Sequence, residues 1–244
     1  MALSIQGGIE EYYAPPVKNS KFHSLHNEFI NIASHEIKTP VQSILTYSEL
    51  LHAKPEENHA EYIEAIYRNA LRLQKLTKNL LEVARIGDRA LKLRYQKFDI
   101  DELSVSIIRD FVKQMEHSGR KTNDVKFLFV PNGPIIVHAD KDRISQVISN
   151  LLDNAFKFTH KGNTLLRINQ TNETVVVSVE DSGSGISPEV ASRLFSKFTT
   201  SYDVGTGLGL YISKNIIEAH GGRILAINKP NNTGAIFSFE IPTR

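Results

Sequence analysis

Residues 29–40 read FINIASHEIKTP, an amphipathic stretch with a histidine, a carboxylate beside it, a threonine one turn later and then a proline. A histidine on a helix is most often structural or idle. The neighbours of His35 supply a second reading. Glu36 can accept a proton from one ring nitrogen and leave the other as a nucleophile. Thr39 falls one turn on, on the same face. Pro40 has no N–H to donate to the carbonyl of Glu36, which loosens the helix where the ring would swing. The stretch is therefore either an idle helix face or the seat of a nucleophilic histidine.

Around it, Phe22, Leu25, Phe29, Ile32, Ile44, Leu45 and Leu51 lie at helical spacings across residues 21–52, with a break in the pattern at the histidine stretch. A polar turn over residues 53–58, holding Pro55, precedes a second pattern. There Ile63, Ile66, Ala70, Leu73, Leu80 and Ala84 step by threes, fours and sevens, and Leu76 and Val83 widen the stripe. These patterns predict an antiparallel helical hairpin over residues 21–87. Each helix covers one flank of the other, so a long apolar seam is left over. A two-fold copy completing a four-helix bundle is the expected cover, which predicts a homodimer through residues 21–87. Residues 1–20 have Gly7-Gly8 and Pro15-Pro16 but no helical pattern, and read as a leader or the remnant of an upstream region.

Residues 88–98 are charged and short and read as a linker into a second part, residues 99–244. Residues 100–115 are patterned as a helix. Residues 125–130 and 135–138 are strand-like runs split by Pro131-Asn132-Gly133-Pro134. Over residues 140–158, Ile144, Val147, Ile148, Leu151, Leu152 and Ala155 sit at offsets 0, 3, 4, 7, 8 and 11, the clearest helix in the chain. Strands at 165–170 and 174–179, a helix at 208–219 and a hairpin of 223–228 with 235–241 follow. Antiparallel hairpins with separate helices predict an α+β sandwich with helices on one face of the sheet.

At 244 residues, 41% hydrophobic and 23% charged, the chain holds enough apolar surface for two compact units. A net charge of +2 gives no electrostatic reason to expect nucleic acid. The absence of cysteine removes disulfides, thiolate metal sites and cysteine nucleophiles, and fits a reducing, cytoplasmic setting. No window reaches the roughly 18 apolar residues of a membrane span, so no membrane segment is expected in this chain.

The long helix carries a second stripe, Asn150, Asn154 and Lys157, at i, i+4 and i+7. It reads either as a solvated face or as a ligand set. Solvated faces favour Glu and Lys, whereas asparagine is a poor helix former. Its amide oxygen suits Mg²⁺ that keeps its waters and takes substrate phosphates. Asp181 ends an apolar strand before Ser182-Gly183-Ser184-Gly185. That is a common turn, or else an acceptor at the lip of a sheet for an exocyclic amine, with Gly183 and Gly185 admitting a flat ring. Gly205, Gly207 and Gly209 alternate at a helix start, as a flexible loop or as bare N–H groups turned to an anion. Between these clusters, residues 186–204 read as a segment that opens and closes over a nucleotide, with Lys197 either solvated or a phosphate partner.

Together and in this order, these pieces resemble the catalytic core of a sensor histidine kinase of two-component systems. HEIKTP looks like the H-box, ISNLLDNAFKFT the N-box, DSGSGI the G1 box, LFSKF the F-box and GTGLGL the G2 box, and the match covers about residues 22–242. The resemblance implies a dimerisation and histidine-phosphotransfer hairpin joined to an α/β sandwich of Bergerat (GHKL) type that binds ATP. It implies His35 as phosphoacceptor, Glu36 as the aid to proton removal, and Thr39 as the holder of a water for dephosphorylating a partner. It implies Asn154 as principal Mg²⁺ ligand, Asn150 and Lys157 near the phosphates, and Asp181 on the adenine amine. Gly183, Gly185, Gly205, Gly207 and Gly209 would shape pocket and lid. The acceptor would be an aspartate on a response regulator. Many members carry an arginine soon after the second F-box phenylalanine. Here Thr199 and Thr200 follow Phe198, which leaves Lys197 as the lid's basic residue. Two rival expectations are an ATPase clamp of the wider Bergerat superfamily with water as acceptor, and a non-catalytic dimeric scaffold.

Overall fold

A computed structural model describes residues 20–53, 59–87, 91–117, 125–199, 206–230 and 233–243. Residues 1–19, including most of the expected leader, lie outside the described residues, as do the turn at 54–58 and the side chains of Phe22 and Leu25.

Helices α1 (Ser20–Ala53) and α2 (His59–Gly87) form the hairpin. The expected break at the histidine stretch is absent, because α1 runs unbroken through Pro40. Its inward positions are Ala33, Ile37, Pro40, Ile44, Tyr47 and Leu51, a regular four-three alternation that passes through the stretch. The seam there is carried by an alanine and a proline, which a search for large apolar residues passes over. On α2 the matching positions are Tyr62, Ile66, Asn69, Leu73, Leu76, Leu80 and Val83, and Tyr47 meets Tyr62 with ring centroids 5.8 Å apart. Ile63, Ala70 and Ala84, expected in this seam, are exposed instead. Ile63 joins Ile30, Val41, Leu45 and Tyr67 among the hairpin's exposed large apolar side chains, which amount to a second apolar surface besides the seam. No helix among the described residues is long and apolar enough to cross a membrane.

The second part is an α/β sandwich. Strands β2 (Val125–Val130), β4 (Gly162–Gln170), β5 (Thr174–Glu180), β7 (Ala235–Pro242) and β6 (Arg223–Asn228) lie side by side in that order. Only β2 and β4 run parallel. Alternation fixes which face is covered. Val175, Val177 and Val179 of β5 and Phe237, Phe239 and Ile241 of β7 are buried, while the residues between them are half-buried. Helices α3 (Ile100–His117), α4 (Lys141–Phe158) and α6 (Gly209–Ala219) are the principal helices of this part, and the short α5 (Pro188–Ala191) lies between α4 and α6 in the chain. The expected linker is shorter than 88–98. Tyr95–Asp99 form strand β1, paired antiparallel with β3 (Ile136–Asp140), and no alternation betrays it because Tyr95, Gln96 and Lys97 are all exposed.

Asp140 ties these pieces together. Its Oδ1 accepts from the N–H of Arg143 and so caps α4. Its Oδ2 accepts from the N–H of Arg94 at 2.8 Å, just before β1. Its own N–H donates to Nε2 of buried His220, at the end of α6, at 3.1 Å. Because Nε2 accepts there, the ring proton sits on Nδ1 and donates to the carbonyl of Ile216 at 2.7 Å. One neutral imidazole thus locks the end of α6 to the start of α4. Replacing His220 by leucine strands a buried N–H, and the urea midpoint is expected to fall by the equivalent of about 1–3 kcal/mol. An unchanged midpoint would show that the ring does not hold the two helices.

Candidate functional site

Between the hairpin and the sandwich lies a cavity of about 560 Å³. Its walls are the polar face of α4, the segment after β5, the start of α6 and one face of α2. The α4 face is forced into this position. Ile144, Val147, Ile148, Leu151 and Leu152 are at most 1% exposed, so Asn150, Asn154 and Lys157, on the opposite side, face outward into the cleft.

Asp181 lies at the sheet end of the cavity and is only 3% exposed. Its Oδ1 accepts from the N–H groups of Gly183 at 2.8 Å and Ala235 at 3.2 Å, which leaves Oδ2 for a ligand. Burial pushes this carboxyl above the ordinary aspartate range, against those two N–H groups and the Lys229 ammonium. Asn154 lines the cavity, and its side chain makes no hydrogen bond to another described residue. Asn150 is committed differently: its Nδ2 donates to Oγ of buried Ser213 at 3.0 Å, bracing α4 against α6.

Two glycines are needed for close approach. A Cβ on Gly209 would come within 2.2 Å of Asn150 Oδ1, and one on Gly183 within 2.2 Å of the Phe158 carbonyl oxygen. Both let backbones pack, at the α4–α6 crossing and at the end of α4.

Asp153 closes the cleft. Its Oδ2 accepts from Lys75 of α2 at 2.6 Å and pairs with Lys157 at 3.1 Å. Burial alone would raise this carboxyl, but the ammonium groups of Lys157 and Lys75 outweigh it, and the group sits below the ordinary range. A second clasp joins Glu82 of α2 to Arg143 and Gln146 of α4.

Of the residues expected to act together, Asn150, Asn154, Lys157, Asp181, Gly185, Gly207 and Gly209 line this one cavity. Gly205 lies outside the described residues. Gly183 supports Asp181 from behind. Lys197 is not in the cavity wall: its ammonium lies 5.2 Å from the ring centroids of both Phe29 and Tyr211. It is also not the segment's sole basic residue, since Arg193 is there too, exposed. His35 and Thr39 are exposed on α1, and Thr39 Oγ1 donates to the carbonyl of His35 at 3.2 Å. Glu36 is half-buried and accepts from Nη2 of Arg72 at 3.2 Å. The α2 wall, with Arg72, Lys75 and Asn79, was not expected, nor was Asp153. The spacings of three and four residues between those α2 side chains are the only signal, and they are equally those of a solvated face.

Comparison with known proteins agrees with this architecture. Residues 25–89 match the His Kinase A (phospho-acceptor) domain, and residues 139–244 the histidine kinase-, DNA gyrase B- and HSP90-like ATPase family. The chain is 33% identical over 232 residues to sensor protein KdpD of Clostridium acetobutylicum, covering 89% of this chain and 25% of KdpD. It resembles histidine kinase ThkA, solved in complex with response regulator protein TrrA, at a TM-score of 0.69 and 30% identity, over 93% of this chain and 64% of that one. It resembles full-length ShkA, solved with AMPPNP, at a TM-score of 0.65 and 27% identity, over 88% of this chain and 45% of that one. The chain belongs to the sensor histidine kinases of two-component systems. It spans between about a tenth and about half the length of the curated relatives it matches.

The clasp at Asp153 has a pH signature. Its folded pKa lies below the unfolded value, so its contribution is complete above the ordinary carboxylate range and is lost as pH falls through the lowered folded value. Asp153→Asn is expected to flatten the acid limb of stability against pH, below the ordinary carboxylate range. A limb identical to that of the parent chain would mean that Lys75 and Lys157 do not hold this carboxylate.

Proposed function

We propose that this chain phosphorylates His35 from ATP and passes the phosphoryl group to an aspartate of a response regulator. The observation that carries the reading is a single cavity, with Asp181 at one end and Asn154 and Lys157 along its floor, whose outer wall is the hairpin that bears His35. The hairpin, residues 21–87, is the phosphotransfer and dimerisation part, and the sandwich from β1 onward is the ATP-binding part.

The residues present fit the substrate. Asp181 Oδ2 is the acceptor for the adenine amine, and the open backbone at Gly185 admits the flat ring beside it. Lys157 and the Gly207–Gly209 turn at the start of α6 face the phosphates. The donor set also fits Mg²⁺. No cluster of three acidic or imidazole side chains exists among the described residues, so an ion here takes the Asn154 amide oxygen together with phosphate and water. When bound, such an ion would supply positive charge beside the phosphates. Asn150, tied to Ser213, contributes mainly by fixing α6 against α4.

In the transfer itself, an imidazole nitrogen of His35 forms a bond to the γ-phosphorus. The bond from phosphorus to the β–γ bridging oxygen breaks, and its electron pair leaves on ADP. The ring proton passes to Glu36. His35 is exposed and outside the cavity wall, so the ATP-binding part moves relative to a histidine, its own or a second copy's. The exposed stripe of Ile30, Val41, Leu45, Ile63 and Tyr67 supports a second copy. The likeness to ThkA in its complex with TrrA supports a response regulator as acceptor. Thr39, exposed one turn beyond His35, is the residue we assign to holding water for the reverse dephosphorylation.

Incubation with γ-labelled ATP is expected to leave an acid-labile, base-stable label on residue 35. His35→Gln is expected to lose the label while nucleotide affinity stays within about twofold. Release of labelled phosphate without any protein label would instead identify a clamp that uses water as acceptor.

A further inference from the structure

The lid of this chain lacks an arginine after Phe198, and Lys197 is directed to aromatic rings outside the cavity. Three cations line the cavity: Arg72, Lys75 and Lys157. Lys75 and Lys157 share Asp153, at 2.6 and 3.1 Å. Arg72 differs, because its ion pair goes not to the cavity wall but to Glu36, the residue next to His35. That contact uses Nη2 alone, at 3.2 Å. A guanidinium has five N–H donors in a rigid fork, so one edge can hold Glu36 while the rest meets a phosphate.

Resting on the reading that the cavity holds ATP, we propose that Arg72 of the hairpin is the catalytic cation for the terminal phosphate. It replaces an arginine from the lid, and it joins that phosphate to the carboxylate beside the acceptor histidine. A cation delivered by α2 reaches the γ-phosphate only when the hairpin is docked on α4. Charge stabilisation and closure of the two parts are then one event. Glu36 is half-buried beside the hairpin seam, and the contact with Arg72 holds its carboxylate toward α2. During transfer the developing negative charge on the γ-phosphoryl oxygens competes for Arg72 and loosens its hold on Glu36, which is then free to take the ring proton.

The test compares a nucleotide with a terminal phosphate to one without. Calorimetry in Mg²⁺ with AMP-PNP and with ADP on the full chain is expected to give, for Arg72→Gln, a loss of about tenfold or more for AMP-PNP and less than about twofold for ADP. Labelling of His35 in the same variant is expected to slow by about a hundredfold or more in kcat, with part of it regained in Arg72→Lys. Glu36→Gln breaks the same ion pair from the other side and is expected to keep the preference for AMP-PNP over ADP. Equal loss for both nucleotides, no loss for either, or the same lost preference in Glu36→Gln would overturn the assignment. If the parent chain binds neither nucleotide, it is the reading of the cavity that falls, and Arg72 with it.

Discussion

A carboxylate held between two ammonium groups helps to fasten the hairpin across the site. Asp153 belongs to α4 and Lys75 to α2, so their contact joins the two walls of the cavity. Burial works against that carboxylate and the two lysines win. The Lys75 side chain is 58% exposed, and such pairs are worth about 0–1 kcal/mol in water and are screened by salt. The pairing of Glu82 with Arg143 and Gln146 is better buried and is the firmer of the two clasps. A wall fastened this way closes the site and still lets go, which suits a cleft that takes up one nucleotide and releases another.

Everything else in the site follows from how α4 is oriented. Its apolar face leaves no freedom of rotation, because six of its side chains are at most 1% exposed. Its start is fixed by Asp140, which caps the helix, holds the chain before β1 and leans on His220 at the end of α6. Asn150 and Gly209 then set the spacing between α4 and α6, since nothing larger than glycine fits against that amide. The floor of the cavity is therefore positioned by core packing, while its roof is held by ion pairs together with apolar contacts of Leu76, Val83 and Phe29. The first is rigid and the second is adjustable.

Much of this was legible in the sequence, and the failures have physical causes. Helix α4 and its two faces were readable because six buried residues keep strict helical spacing. The hairpin was readable too, but its seam was misdrawn. Ala33 and Pro40 carry it through the histidine stretch, whereas Ile63 and Leu45, larger and more apolar, lie outside it. Strand β1 was hidden because Tyr95, Gln96 and Lys97 are exposed on both of its faces and leave Phe98 as its one buried residue. Lys197 was misplaced because its partner ring, Phe29, is 168 positions away, and no local pattern announces a contact of that range. The same holds for Arg72 and Glu36, 36 positions apart on two helices whose register only the folded hairpin fixes.

The central claim is that one nucleotide spans the cavity from Asp181 to the hairpin. A crystal structure of the chain with AMP-PNP and Mg²⁺ tests it most directly. The account predicts the adenine amine on Asp181 Oδ2, the metal on Asn154, and the terminal phosphate on the α2 side between Lys157 and Arg72. A nucleotide bound elsewhere, or one whose phosphates run away from α2 with the hairpin detached, would contradict it.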